Sequence, residues 1–400
     1  MSSVFVYVQH LLGIGHLKRM ALLCRGLTGE RLEVDMISGG MPVLGLDTGG
    51  ARVFQLPSLK SGAGGFHDLV GGDDRPVDDA WKARRRDHLL NLFHQRRYDA
   101  LIIEAFPFGR RQMRFELLPL LAAAKEATPR PPIICSVRDI VQAKRDPARI
   151  AETAELIETS FDHVLVHGDP AFVRFEETFP EARRFAAKLH YTGIIAGAGA
   201  LRGGRGRAGR GDVLVSAGGG AVGEKLLATA MDSRPLTSLR DARWRLLAGP
   251  NLGARTLAGL AARAPAGVVV ERHRRDFAAL LAACAVSVSQ AGYNTVADIL
   301  RAGTRAVIVP YAADGETEQS LRARRLAERG LARVVTEDRL SPETLAAAID
   351  AAFEAPPADA ARPDLNGAKT SARLVCDWLK DRGADGRSVP DNTKDATGGR

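Results

Sequence analysis

Six short runs in the first half of the chain are apolar at nearly every position and are separated by helix-length stretches: VFVYV (4–8), LEVDMIS (32–38), ARVFQL (51–56), DALIIEAF (99–106), PIICSV (132–137) and HVLVHG (163–168). A strand with one face in water alternates apolar and polar residues, whereas a strand apolar on both faces must be covered on both. Runs of this kind, spaced by helices, predict a doubly wound parallel sheet over residues 1–195. The pattern restarts with DVLVSAGGGAVGEKLLATAM (212–231), WRLLAGP (244–250), GVVVERH (267–273), VSVSQAGYNTVADILRAG (286–303) and RAVIVPYA (305–312), and closes on helical segments near 319–329 and 342–353. That predicts a second Rossmann-like unit over 212–355.

The intervening AGAGALRGGRGRAGRG (196–211) is too rich in glycine and arginine to bury a core and is expected to be a linker. Within 356–380, NGAKTSARLVCDWLK places Leu374, Val375 and Leu379 at helical spacing and predicts a docked C-terminal helix. Residues 381–400 are polar, without periodicity, and are expected to be a disordered tail. A chain of 400 residues, 45% of them hydrophobic, can supply two ordinary cores. The predicted fold class is α/β: two Rossmann-like doubly wound domains facing across a cleft.

The formal charge of +9 would suit nucleic acid or an anionic membrane surface. The arginine clusters (84–86, 96–97, 110–111, 272–275, 322–325) are scattered, however, and no aromatic residues interleave with them as a base-stacking surface requires. No nucleic-acid partner is expected; a small-molecule or lipid-linked partner, and peripheral contact with the inner membrane face, remain compatible. No apolar run approaches the ~18 residues of a membrane span, and the chain opens directly on a strand, so a cytoplasmic protein is expected. The four cysteines (Cys24, Cys135, Cys284, Cys376) lie far apart in apolar or helical patterns and read as core residues. There is no DxD and no His/Cys/Asp cluster at ligand spacing, so neither metal nor cofactor is expected.

Open α/β sheets bind ligands beyond the carboxyl ends of their strands. In SAGGGAVGEK (216–225), Gly218, Gly219 and Gly220 would let the backbone approach an anion at a helix start, or make a tight turn without a ligand. In SVSQAGYNTVADIL (287–300), Gly292 permits a turn and Asn294 and Thr295 open a helix whose amino end can hold phosphate. Asp298, one turn on, could accept hydrogen bonds from ribose hydroxyls; otherwise it is a helix-dipole acid. Glu318 and Gln319, after strand AVIVP, would face the cleft and hydrogen-bond sugar hydroxyls, or form a capping pair. On the first unit, Glu104 and Phe106 in IIEAFPFGRR, and Arg138 and Asp139 in SVRDIV, could line the acceptor side; the last two could equally pair with each other or with neighbours.

Together with the first-half loop GIGHLKR (13–19), the motifs SAGGGAVGE, SQAGYNTVADIL and VPYAADGETEQSLRARRLAERG resemble the MurG-type glycosyltransferases of the GT-B fold. The resemblance runs nearly to residue 380. It implies a metal-independent transferase that takes a sugar from a nucleotide-sugar, commonly UDP-linked. It places Gly292, Asn294 and Thr295 at the diphosphate, Asp298 at the ribose, Glu318 and Gln319 at the donor sugar, and the backbone around Glu271 and Arg272 at the base. It further implies that His16, at the end of the first loop, is the base that deprotonates the acceptor, with Gly13 and Gly15 letting the backbone approach acceptor or donor phosphate. The family's usual ribose ligand is glutamate where this chain has Asp298, and its longer glycine run is here reduced to GIGH. GIGHLKR also resembles the loop of a UDP-sugar hydrolase, which makes nucleotide-sugar hydrolysis the alternative activity. A noncatalytic nucleotide-binding protein is the alternative of a different class.

Overall fold

A computed structural model describes residues 1–62, 65–142, 146–197, 211–218, 223–249, 252–272, 274, 276–356 and 362–385. In the first unit the chain runs β1 (Ser3–Val8), α1 (Gly15–Gly29), β2 (Glu33–Ser38), β3 (Arg52–Gln55), β4 (Leu59–Gly62), β5 (Gly65–Gly71), α2 (Asp79–His94), β6 (Ala100–Glu104), α3 (Arg114–Glu126), β7 (Ile133–Arg138), α4 (Pro147–Ser160), β8 (His163–His167) and β9 (Leu189–Tyr191). Seven of these strands form one parallel sheet in the order β3-β2-β1-β6-β7-β8-β9. β1 is buried at all six positions and β6 at all five, so helices cover both faces, as a parallel sheet requires. An antiparallel hairpin of β4 and β5, not expected from the sequence, stands outside this sheet.

The second unit contains β10 (Val213–Ser216), α5 (Glu224–Ser233), β11 (Trp244–Ala248), α6 (Ala254–Arg263), β12 (Val268–Arg272), α7 (Phe277–Ala283), β13 (Val286–Ser289), α8 (Tyr293–Ala302), β14 (Ala306–Ile308), α9 (Glu318–Glu328), β15 (Arg333–Val334) and α10 (Pro342–Glu354). Its six strands are again parallel, in the order β12-β11-β10-β13-β14-β15. Both sheets reverse strand order beside their first strand: between β1 and β6, and between β10 and β13. In a doubly wound sheet the loops at such a reversal diverge and leave a crevice at the carboxyl edge.

A last helix, α11 (Gly367–Asp385), runs past residue 380 and packs on α1 of the first unit, where Gly26 lets the backbone of Ala368 approach. The two crossings between units lie side by side: Ile194 N–H donates to Asp364 O (2.7 Å) and Gly367 N–H to Ile194 O (3.1 Å). Separate apolar cores on the two faces of each sheet complete the architecture. Residues 198–210 of the expected linker and 386–400 of the expected tail lie outside the described residues.

Candidate functional site

The turn between β1 and α1 brings His16 to the first unit's crevice, and the end of β6 brings Glu104 to the same place. His16 Nδ1 lies 2.5 Å from Glu104 Oε1, with Glu104 fully buried and the imidazole 24% exposed. An ionised carboxylate only accepts, so Nδ1 carries the proton and Nε2 is left with its lone pair. Burial is the largest influence on the ring; Glu104 opposes it, while Arg110 and Arg138 add to it, and the imidazole is lowered to about 3. His16 is therefore neutral across the physiological range. Burial alone would raise Glu104, but His16, Arg19 and Arg110 hold it well below the usual carboxylate range.

Arg19, three residues along α1 from His16, donates to Glu104 Oε1, and Arg110 Nε stands 3.9 Å from Oε2. The loop that carries Arg110 has two non-glycine residues in the left-handed region, Ala105 (φ 61°) and Arg110 (φ 59°). Such conformations persist only where their surroundings hold them.

Across the gap, α8 begins at Gly292 without a side-chain cap, so its first amides are directed at the same crevice. Gly292 has an ordinary φ of −62°, and a Cβ added there would meet nothing. The glycine leaves open space at the helix start; the turn itself does not demand it. Asn294 Nδ2 donates to Gly15 O (3.0 Å), joining the two units where the amino ends of α1 and α8 face each other. A Cβ on Gly15 would crowd that amide at 3.1 Å. Asp298, on the same helix, faces Lys18 of α1; burial raises its carboxyl to about 6, only partly countered by Lys18. Thr295 is half-buried at the helix start, and Gly13 half-buried in the turn before α1.

Glu318 and Gln319 are not the cap of α9: the carboxylate of Glu316 accepts from both of their amides. Glu318 instead takes Arg138 Nη1 (2.8 Å) from the first unit and Arg322 Nη2 (2.9 Å) from its own helix. Arg322 also reaches Asp139 Oδ1 at 2.8 Å. Arg138 and Asp139 thus pair across the cleft and not with each other. Gln319 Oε1 accepts from the backbone of Ala291 (3.0 Å) and Tyr311 (3.2 Å), fixing the two loops that follow β13 and β14. Tyr293 sits between guanidiniums of both units, Arg19 at 5.5 Å and Arg322 at 5.6 Å from its ring, and its hydroxyl donates to His167 O. Four guanidiniums (Arg19, Arg110, Arg138, Arg322) face three carboxylates (Glu104, Asp139, Glu318), which leaves one positive charge in excess beside two helix amino ends. That electrostatics suits an anion.

The carboxyl ends of β10, β13 and β14 enclose a cavity of about 240 Å³ lined by Gly223, Lys225, Gln290, Val309 and Tyr311. Gly218, in the left-handed region (φ 69°), lies just after β10; Gly219 and Gly220 fall outside the described residues. Glu271 is held by Arg245 and Arg274, and Arg272 is exposed at the end of β12. Phe106 is buried in the first core. Sequence reasoning did not single out Arg19, Arg110, Tyr293 or Arg322. Only Arg19 carried a signal, its i, i+3 spacing from His16 on a helix start. Among the described residues no group of His, Cys, Asp and Glu is placed to hold a metal ion, and no helix is long and apolar enough to cross a membrane.

Two parallel Rossmann-like units with their crevices opposed define the GT-B fold. The calicheamicin glycosyltransferase CalG4 (TM-score 0.57, 18% identity, 97% of this chain and 100% of that one) and MurG of Acinetobacter baumannii (TM-score 0.55, 17% identity, 94% and 100%) share it. Residues 261–375 match the glycosyltransferase family 28 C-terminal domain. Among curated relatives are two UDP-N-acetylglucosamine--N-acetylmuramyl-(pentapeptide) pyrophosphoryl-undecaprenol N-acetylglucosamine transferases. That of Mesorhizobium japonicum is 34% identical over 166 residues (40% of this chain), and that of Desulforudis audaxviator 33% over 98 residues (24% of this chain). The matching segments span 44% and 26% of those relatives' lengths.

Proposed function

We propose that this protein is a glycosyltransferase that moves a sugar from a nucleotide-sugar, UDP-linked, to the hydroxyl of a small-molecule or lipid-linked acceptor, without a metal. The observation that carries this reading is the His16–Glu104 pair, set at one crevice directly opposite the uncapped start of α8 at the other. His16 Nε2 takes the acceptor's proton as its oxygen attacks the anomeric carbon. The bond from that carbon to the diphosphate breaks, and its electron pair leaves with the nucleoside diphosphate. Glu104 steadies the imidazolium that forms. The amides of Gly292, Asn294 and Thr295 and the surplus guanidinium charge stabilise the departing anion. Asp298 takes the ribose hydroxyls, Glu318 and Gln319 the sugar, the loop from Gly218 the phosphates, and the backbone near Arg272 the base; Gly13, Gly15, Arg138 and Asp139 border the acceptor. Work at the inner membrane face, in peripheral contact, follows if the acceptor is lipid-linked.

His16→Ala tests the reading. Nucleotide-sugar affinity should stay within about threefold, while turnover falls roughly a hundredfold or more, because a general base acts in the transition state. Unchanged turnover would remove the mechanism. Free sugar released at full rate without any acceptor would make the protein a hydrolase instead.

A further inference from the structure

Three helices of the second unit end at one place: α8 at Ala302, α9 at Glu328 and α10 at Glu354. Between these ends, at the amino edges of β14 and β15, lies a cavity of about 630 Å³. It is at the opposite edge of the sheet from the crevice, since Arg305 and Ala306 open β14 whereas Val309 and Tyr311 follow it. Leu300 and Leu331, with several alanines, give it apolar wall, and Arg305, Arg329, Arg333 and Arg362 border it. No Asp or Glu is among its described lining residues.

Helix capping accounts for part of this charge. Arg362 donates to Leu300 O (3.4 Å), Arg329 to Arg325 O (3.4 Å) and Arg305 to Ala355 O (3.1 Å), each at a helix carboxyl end. A helix end carries about half a negative charge. Arg329 is also held across to the first unit, donating to Ala171 O with its guanidinium 5.0 Å from the Phe172 ring. Three ends offset about one and a half of the four positive charges, so the cavity keeps a positive excess, carried chiefly by Arg305, Arg333 and Arg362. Arg333 is exposed at the rim. The volume lies within the range of small-molecule sites, and guanidinium forks match the oxygens of a phosphate.

We infer that this cavity binds a phosphomonoester with a hydrocarbon body, its phosphate among the arginines and its apolar part against Leu300 and Leu331. The occupant is held apart from the donor nucleotide, yet it touches the far ends of α8 and α9, the two helices that begin at the crevice.

The experiment is calorimetric titration of the full-length protein with hexyl phosphate, with inorganic phosphate and hexanol as head-only and body-only probes. One equivalent of hexyl phosphate should bind at least tenfold more tightly than either. Arg333→Glu should weaken it at least tenfold and Arg333→Lys by less than threefold. Ala327→Trp, at an exposed lining position, should abolish binding by filling the mouth, with Tm unchanged. Vesicles containing phosphatidic acid supply the second arm. Arg333-dependent sedimentation with them assigns the phosphate to lipid, and its absence alongside hexyl phosphate binding assigns it to a soluble ester. Failure of both probes to bind, affinities indifferent to Arg333→Glu and Ala327→Trp, or displacement of hexyl phosphate by UDP would each overturn the inference.

Discussion

Replacing Glu104 by glutamine removes one negative charge from a fully buried position. Glu104 is fully buried and holds His16 at 2.5 Å, Arg19 through the same oxygen and Arg110 at 3.9 Å from the other. At an effective dielectric constant near 20, a unit pair about 4 Å apart is worth roughly 4 kcal/mol, so the pair with Arg110 alone is of that order. Part of this is returned because glutamine is cheaper to bury than a carboxylate. Breaking a buried ion pair from one side typically costs about 3–5 kcal/mol, and that is the expected loss for Glu104→Gln, read as a fall in the urea midpoint. The cost arises from stranded guanidiniums, so removing one should relieve it. The double variant Glu104→Gln/Arg19→Met should therefore regain at least half of the loss, although it has lost one more native contact. A Glu104→Gln protein within about 1 kcal/mol of the parent, or a double variant no better than the single one, would refute the charge-compensation argument.

Other outcomes follow from the same geometry. Burial lowers His16 and His167 to about 3 and His163 to about 4, so the unfolded chain takes up these protons first as pH falls. Stability should be full above pH 6.5 and decline toward pH 4.5, each group adding up to about 1.4 kcal/mol per pH unit. His10 and His190, also lowered by burial, act in the same direction; Asp298, raised to about 6, contributes with the opposite sign, and urea midpoints that rise on acidification would contradict this balance. Asp298→Asn should make the protein more stable at pH 8, by about 1–3 kcal/mol, while weakening UDP binding at least tenfold. A variant that binds UDP as the parent does would remove Asp298 from the donor site. Arg322→Met leaves Asp139 and Glu318 buried without their shared partner. It should loosen the contact between units, seen as faster proteolysis within residues 356–366, and an unchanged cleavage rate would show that the contact does not hold them together.

The strands were legible because a doubly covered strand is apolar at successive positions; VFVYV foretold β1 to within a residue, and WRLLAGP foretold β11. The β4–β5 hairpin was not, since LKSG and GFHDLVG mix glycine and polar residues in no strand period. β9 and β15, three and two residues long, are too short to carry a period. In the candidate site, the rule that ligands bind beyond strand ends pointed to Glu104 and the start of α8, whereas His16 came from the resemblance of GIGHLKR to a family loop. Their partners were not legible. Arg19 meets Glu104 across 85 residues, and Arg322 meets Asp139 across 183, distances over which sequence spacing says nothing. In a chain with 56 lysines and arginines, the few that are buried look like the rest. Glu318 and Gln319 were seen as polar residues at a cleft, but only the fold shows one held in an ion pair between units and the other bracing two loops.

The docking of α11 on α1 makes the second unit an insertion in the first, entered after β9 and left before α11. During synthesis on a ribosome, the first sheet is complete once β9 has emerged. Yet Cys24 and Leu27 of α1 share their apolar cluster with Ala372 and Val375 of α11, and those residues appear only after the whole second unit has been made. The nascent first unit must wait with that face bare while some 170 residues are translated, which at about 5–20 residues per second takes roughly ten to thirty seconds. The interval is long enough for a chaperone to visit the bare face, and the arrival of α11 covers it.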